Sequence, residues 1–169
     1  MPQQAWRTRA ERPDDVARVH EINVDAFERS EEAELVDALR ADAAWIDGLS
    51  VVSVDADDRP VGYALLTRCH IDDTPALGLA PCAVVTAQQR TGAGSAAIIA
   101  ALDAARVLEE STVVVLGHAD YYPRFGFGRA VDHGVRLSIE VPEDALMVLS
   151  LDGTDIPSGT VRYAAPFGI

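Results

Sequence analysis

What this chain has little of narrows it first. It holds two cysteines, Cys69 and Cys82, in 169 residues. That is too few for a disulfide-built secreted scaffold, and both read as reduced thiols of an intracellular protein. No apolar run approaches the roughly 20 residues that span a bilayer. The segment Met1–Arg12 carries charges and lacks the apolar centre of a secretory leader. The expectation is therefore a cytoplasmic protein with no membrane partner. Basic charge is also scarce, with 27 Asp and Glu against 14 Lys and Arg and a formal net charge of −13. A nucleic-acid partner would need a basic footprint, and none is present. Any anionic ligand must be held by local features rather than by the overall field. No metal site is expected.

Apolar residues make up 49% of the chain, enough to bury one core, and the length suits a single domain over 1–169. Trp6 to Ala10 reads as a short first strand, and Pro13-Asp14-Asp15 suits the start of a helix. Val16, Val19, Ile22, Asn23, Ala26 and Phe27 keep helical spacing, and Leu35, Val36 and Leu39 mark a second helix ending near Ala43. Leu49–Val54 and Pro60–Thr67 flank the polar run Asp55–Arg59 as an antiparallel hairpin. After a break at Asp72–Pro75 comes a strand from Ala76 to Val85, then a helix from about Gly94 to Leu108, then a buried strand Thr112–Leu116. A short helical turn ends at Gly126, and residues 134–141, 146–151 and Thr160–Ala164 read as further strands. The mixed order predicts an α/β (α+β) domain on a largely antiparallel sheet flanked by helices.

The chain is organised around Val84-Val85-Thr86-Ala87-Gln88-Gln89-Arg90-Thr91-Gly92-Ala93-Gly94-Ser95. A strand, a loop with glycines and a helix start, in that order, present unpaired N–H groups and the positive end of a helix dipole. That arrangement suits phosphate. Gly92 and Gly94 let the backbone approach a pyrophosphate, and Arg90 adds a charge that can pair with its oxygens. An ordinary strand-to-helix turn would read the same way from the loop alone. A dinucleotide-binding first unit does not fit, because the loop follows several strands and no ribose-binding acid stands about 20 residues on. Tyr122 lies some 30 residues downstream, just after the strand expected beside that of the loop. A crossover helix brings both segments to one end of the sheet. There a tyrosine hydroxyl either donates a proton to a leaving group or simply packs its ring.

Together these stretches resemble the GCN5-related N-acetyltransferases, the GNAT superfamily. Gln89-Arg90-Thr91-Gly92-Ala93-Gly94 is similar to the family's acetyl-CoA motif, and Tyr122-Pro123-Arg124-Phe125-Gly126-Phe127 to its later tyrosine and Gly-Phe signature. Val114-Val115-Leu116-Gly117-His118 and the ending Ser158–Tyr163 resemble a bacterial subgroup of N-acetyltransferases, so the likeness covers nearly the whole chain. It implies a splayed sheet with acetyl-CoA as co-substrate wedged in the gap. Backbone groups at Val84 and Val85 would bond the pantetheine arm. N–H groups of Gln89, Arg90, Thr91, Gly92, Ala93, Gly94 and Ser95 would hold the pyrophosphate, and Tyr122 would protonate the departing thiolate. Thr86 stands where many members have proline, Ala93 where a branched residue is usual, and His118 where many use asparagine. His118 either contacts ligand or caps the turn before Tyr121.

The resemblance implies an acetyl-CoA-dependent N-acetyltransferase acting on an amine of a small molecule or protein, as a monomer or homodimer. The alternative is a GNAT-like module that holds acyl-CoA without turnover. A protonated amine cannot attack, so a base is needed. Glu28, Glu31, Glu32 and Glu34 either form a solvated helix start or face the acceptor, and His20 either serves as base or packs on its helix. The residues leave the base unassigned.

Overall fold

The structure is a computed structural model describing residues 6–169. The first five residues of the Met1–Arg12 segment, and of the 1–169 domain reading, lie outside the described residues. Strand β1 (Arg7–Ala10) leads through a 3-10 turn at Pro13–Asp15 into helix α1 (Val16–Phe27), followed by helix α2 (Glu31–Arg40). Then come β2 (Ser50–Val54), β3 (Pro60–Ile71) and β4 (Thr74–Val84), helix α3 (Ala93–Val107) and β5 (Thr112–Leu116). Four short strands complete the set: β6 (Gly128–Arg129), β7 (Val135–Arg136), β8 (Leu146–Ser150) and β9 (Gly159–Arg162).

The helices form where apolar spacing gives them a face to bury. In α1, Val19 and Ile22 are fully buried, and the helix stops where Glu28 takes a left-handed φ of 55°. In α2, Ala33, Val36 and Leu39 point inward. Glu31, Glu32 and Glu34 occupy its first turn, where the dipole favours negative charge, so three of the four glutamates begin the helix, whereas Glu28 ends α1. α3 is built on small residues, and buried Ala97, Ala101 and Ala105 let it lie close against the sheet.

The nine strands follow the order β1-β2-β3-β4-β5-β8-β6, with β9 joining at β3 and β7 pairing with β9. The path is antiparallel except between β4 and β5, matching the mixed, mostly antiparallel sheet expected. One face packs on α3 through Ala64, Leu66, Ile98 and Val113, and the other on α1 and α2 through Tyr63, Leu65, Val52 and Val36. A third cluster, with Cys69, Ile71, Val114, Val148 and Val161, fills the end beneath β9.

Two expectations need correction, and one strand was not read from the sequence. The break at Asp72–Pro75 is a tight hairpin, since β3 runs to Ile71 and pairs it with Thr74. The strand expected over 134–141 shrinks to Val135–Arg136, because its only partner is the four-residue β9. The two-residue β6, which pairs with β8, carries no pattern in so short a run.

Candidate active site

The site begins where the sheet opens. β4 and β5 share only the pairs Leu77–Val113 and Gly78–Val114. Just beyond, Leu66 faces Leu79 while Ala64 faces Cys82, so β4 carries an extra residue relative to β3. Such a bulge bends the strand, and Pro81 within it has no N–H to offer a neighbour. β4 therefore leaves β5, and a cleft of about 710 Å³ opens between them. Cys82, Ala83 and Val84 form its floor. Gln89, Arg90, Gly94 and Ile98 line one wall, and His118, Asp120, Tyr121, Tyr122 and Arg124 the other, with Ala26 and Phe27 of α1 alongside.

Backbone direction decides what the floor presents. The Val85 N–H donates to the Val61 carbonyl at 2.9 Å, so it points toward β3. Strand alternation then aims the N–H groups of Val84 and Cys82 at the open edge. The Val85 carbonyl accepts from the Gln88 N–H at 2.9 Å, and its side chain packs in the α1/α2 core. Val85 was expected to share the pantetheine arm with Val84. Its own polar groups are already used, and Val84 alone of the two lines the cleft.

The loop after β4 is tightly held. Thr86 donates its N–H to Asp25 of α1 at 2.6 Å and its hydroxyl to the same carboxylate at 3.2 Å. Thr91 Oγ1 donates to the Gln88 carbonyl at 2.6 Å, Trp6 Nε1 to the Thr91 carbonyl at 3.0 Å and Ser53 Oγ to the Ala93 carbonyl at 2.8 Å. Arg90 and Gly92 take positive φ values of 64° and 90°, and only at Gly92 is this free of a Cβ penalty. Among the described residues, no side chain caps α3. The N–H groups of Ala93, Gly94 and Ser95 thus have no intrahelical partner, and the first helical bond runs from Ala96 to Gly92. Gln89, Arg90 and Gly94 line the cleft itself, whereas Thr91, Gly92, Ala93 and Ser95 contribute backbone behind it. An uncapped, rigid helix start of this kind receives an anion.

Tyr122 opens the 3-10 turn Tyr122–Phe125 across the cleft. A Cβ at Gly117 would lie 2.4 Å from its Cε2 atom, so the ring rests on bare backbone. Phe127 meets the ring edge-on at 5.9 Å between centroids and Tyr121 at 5.1 Å. Tyr122 and Cys82 lie close enough for each to perturb the other's titration. Burial first, and then the neighbouring Cys82, raises the Tyr122 pKa well above that of a free phenol. Burial also pushes the Cys82 thiol up to about 12, only partly offset by the neighbouring Tyr122.

The His118 carbonyl accepts from the Tyr121 N–H at 3.1 Å, and His118 lines the cleft. No glutamate does so among the described residues. Glu32 pairs with Arg29 at 2.5 Å and Glu34 accepts from Ser30 Oγ at 3.2 Å. His20 Nδ1 meets Asp37 at 3.0 Å between α1 and α2. Sequence reasoning missed Asp120, Cys82 and Phe27 as cleft residues. Asp120 stands two residues before Tyr122, and that proximity is the available signal.

Residues 16–127 match the model of the Acetyltransferase (GNAT) family. An uncharacterized N-acetyltransferase of Escherichia coli (strain K12), YjhQ, is 34% identical over 161 residues, covering 90% of this chain and 88% of that protein. The crystal structure of a GNAT family N-acetyltransferase of Escherichia coli, YhbS, in complex with CoA superposes with a TM-score of 0.88 at 27% identity, covering 100% of this chain and 95% of that one. A GNAT family acetyltransferase of Brucella melitensis in complex with acetyl-CoA gives 0.80 at 30% identity, with 96% and 98% covered.

Proposed function

Since this chain belongs to the GNAT acetyltransferase family, we propose that it moves an acetyl group from acetyl-CoA directly to an amine of a small molecule or protein. The observation that carries this reading is the alignment across one cleft of an open β4 edge, an uncapped α3 and a half-buried Tyr122. The residues fit the co-substrate. N–H groups at the start of α3, with Arg90, hold the pyrophosphate, and the cleft-facing backbone of Val84 and Cys82 lines the pantetheine arm. The acetyl thioester then sits over the floor near Tyr122, where N–H groups polarise its carbonyl.

Catalysis is largely positioning, because the cleft holds amine and thioester together. Proton traffic needs two groups. Tyr122 gives its proton to the leaving thiolate. The amine must arrive neutral or lose a proton, and His118 and Asp120 are titratable groups on the cleft wall placed to take it. The same reading takes the protein as cytoplasmic, working as a monomer or homodimer.

Calorimetric titration with acetyl-CoA, followed by thiol release against a pooled amine library, tests this. Saturable binding with release on an amine supports the transferase. Binding with no release on any amine favours an acyl-CoA-holding module on the same fold, and no binding overturns both.

A further inference from the structure

Positive charge in this chain is confined to 14 arginines, with no lysine. Ten of them form ion pairs with carboxylates: Arg7, Arg9, Arg12, Arg18 and Arg29 near the N-terminal half's helices and turns, with the rest farther along. Of the few without a carboxylate partner among the described residues, Arg90 and Arg124 line the same cleft, from opposite walls. In a chain with 27 acidic residues, carboxylate partners are not scarce. Two arginines left free at one place are available to an anion.

Arg90 belongs to the loop that receives the pyrophosphate. Arg124 does not, and it is held differently. Its Nε donates to the Tyr121 carbonyl at 2.8 Å, and its guanidinium carbon sits 4.3 Å above the Tyr121 ring centroid. The Tyr121 hydroxyl in turn shares a 3.1 Å hydrogen bond with Ser95 Oγ, in the first turn of α3. Tyr121 is therefore a bracket. It fixes the guanidinium plane beside the helix start and leaves the two Nη groups as a free, exposed fork. Such a fork matches a terminal phosphate dianion one group removed from the pyrophosphate.

CoA carries one phosphate of that description, on the 3′ position of its ribose. We propose that Arg124 reads the ribose 3′-phosphate and so makes the site selective for CoA over dephospho-CoA. The inference rests on the acetyl-CoA reading of the cleft and adds a specificity residue to it.

Calorimetric dissociation constants for CoA and dephospho-CoA, measured on the wild type, Arg124→Gln and Arg90→Gln, test it without any turnover. The wild type should bind CoA about tenfold more tightly than dephospho-CoA, as suits one exposed bidentate arginine–phosphate contact. Arg124→Gln should bind both ligands alike, at the wild-type affinity for dephospho-CoA, which also shows that the variant is folded. Arg90→Gln should weaken both ligands by a common factor and keep their ratio. The proposal is overturned if the wild type does not discriminate, if Arg124→Gln retains the discrimination, or if it weakens both ligands equally. A wild type that binds neither ligand would instead remove the acetyl-CoA reading beneath it.

Discussion

Tyr122 makes the most exacting demand on a single side chain. Its ring is already packed by Phe127 and Tyr121, so Tyr122→Phe removes the hydroxyl and leaves the fold intact. Turnover should fall about a hundredfold, with the acetyl-CoA dissociation constant changing less than about twofold. The raised pKa keeps the phenol protonated through the neutral range, so turnover should rise with pH as the amine deprotonates. A wild-type rate that falls between about pH 7 and pH 9 would assign the controlling titration to another group. Gly117 is the test of placement rather than chemistry. A methyl group there meets the Tyr122 ring at 2.4 Å and must push it away. Gly117→Ala should lower turnover at least tenfold and cost about 1–3 kcal/mol of stability, while much of the acetyl-CoA affinity, supplied by the Arg90 loop and the start of α3, persists. Steady-state kinetics, chemical denaturation and calorimetry on one preparation separate the three effects.

Among elements, a charge cluster ties the first strand to the start of α1. Arg9 donates to Asp15 at 2.6 Å, the Arg12 N–H donates to the same carboxylate at 2.7 Å, and Arg9 also reaches Asp58 in the β2–β3 turn. Burial acts to raise the Asp15 pKa, but the hydrogen bonds from Arg9 and the Arg12 backbone outweigh it, and the net shift is downward. A carboxyl lowered on folding stabilises the protein above its unfolded value of about 3.9, and that contribution is lost as pH falls through the folded value. Asp15→Asn should cost about 2 kcal/mol near pH 7 and flatten the acid limb of the stability profile, as measured by urea denaturation between about pH 3 and pH 7.

Elements also show what could be read from the residues alone. α1 and the strand–loop–helix order from β4 into α3 were legible because their determinants are local: apolar periodicity, glycine, and a run of alanines. The splay could not be read from spacing. It depends on how many pairs β4 and β5 share, and on an extra residue whose effect exists only against β3. Nor could the Asp25–Thr86 bond, which joins residues 61 apart. Thr86, marked as a departure from the family's usual proline, has the N–H that proline lacks, and that N–H reaches α1. Val85 failed as a cleft residue for a similar reason: its partner Val61 lies on another strand.

At the scale of the molecule, the charge of −13 bears on both substrates in opposite senses. It attracts a cationic amine and repels acetyl-CoA except near Arg90 and Arg124. Raising salt from about 20 to about 200 mM should therefore increase the KM of a cationic acceptor several-fold, and that of acetyl-CoA by less, since screening weakens the local attraction and the general repulsion together. Steady-state titrations of each substrate at the two ionic strengths check this. The absence of lysine means that any Nε-acetyl group found after incubation with a protein acceptor belongs to that acceptor.

The β4–β5 seam has a mechanical meaning as well. One leaf of the sheet, carrying β5, β8 and β6, is hydrogen-bonded to the other strands of the path through two residue pairs, with α3 as a strap over one face and the cluster of Cys69, Ile71, Val114 and Val148 holding the far end. A ligand lying in the gap becomes a brace between the leaves, so occupancy and folding are linked. Each tenfold of free acetyl-CoA above its dissociation constant adds about 1.4 kcal/mol to the stability of the whole protein. The protein's resistance to unfolding would then rise and fall with the supply of activated acetyl groups around it.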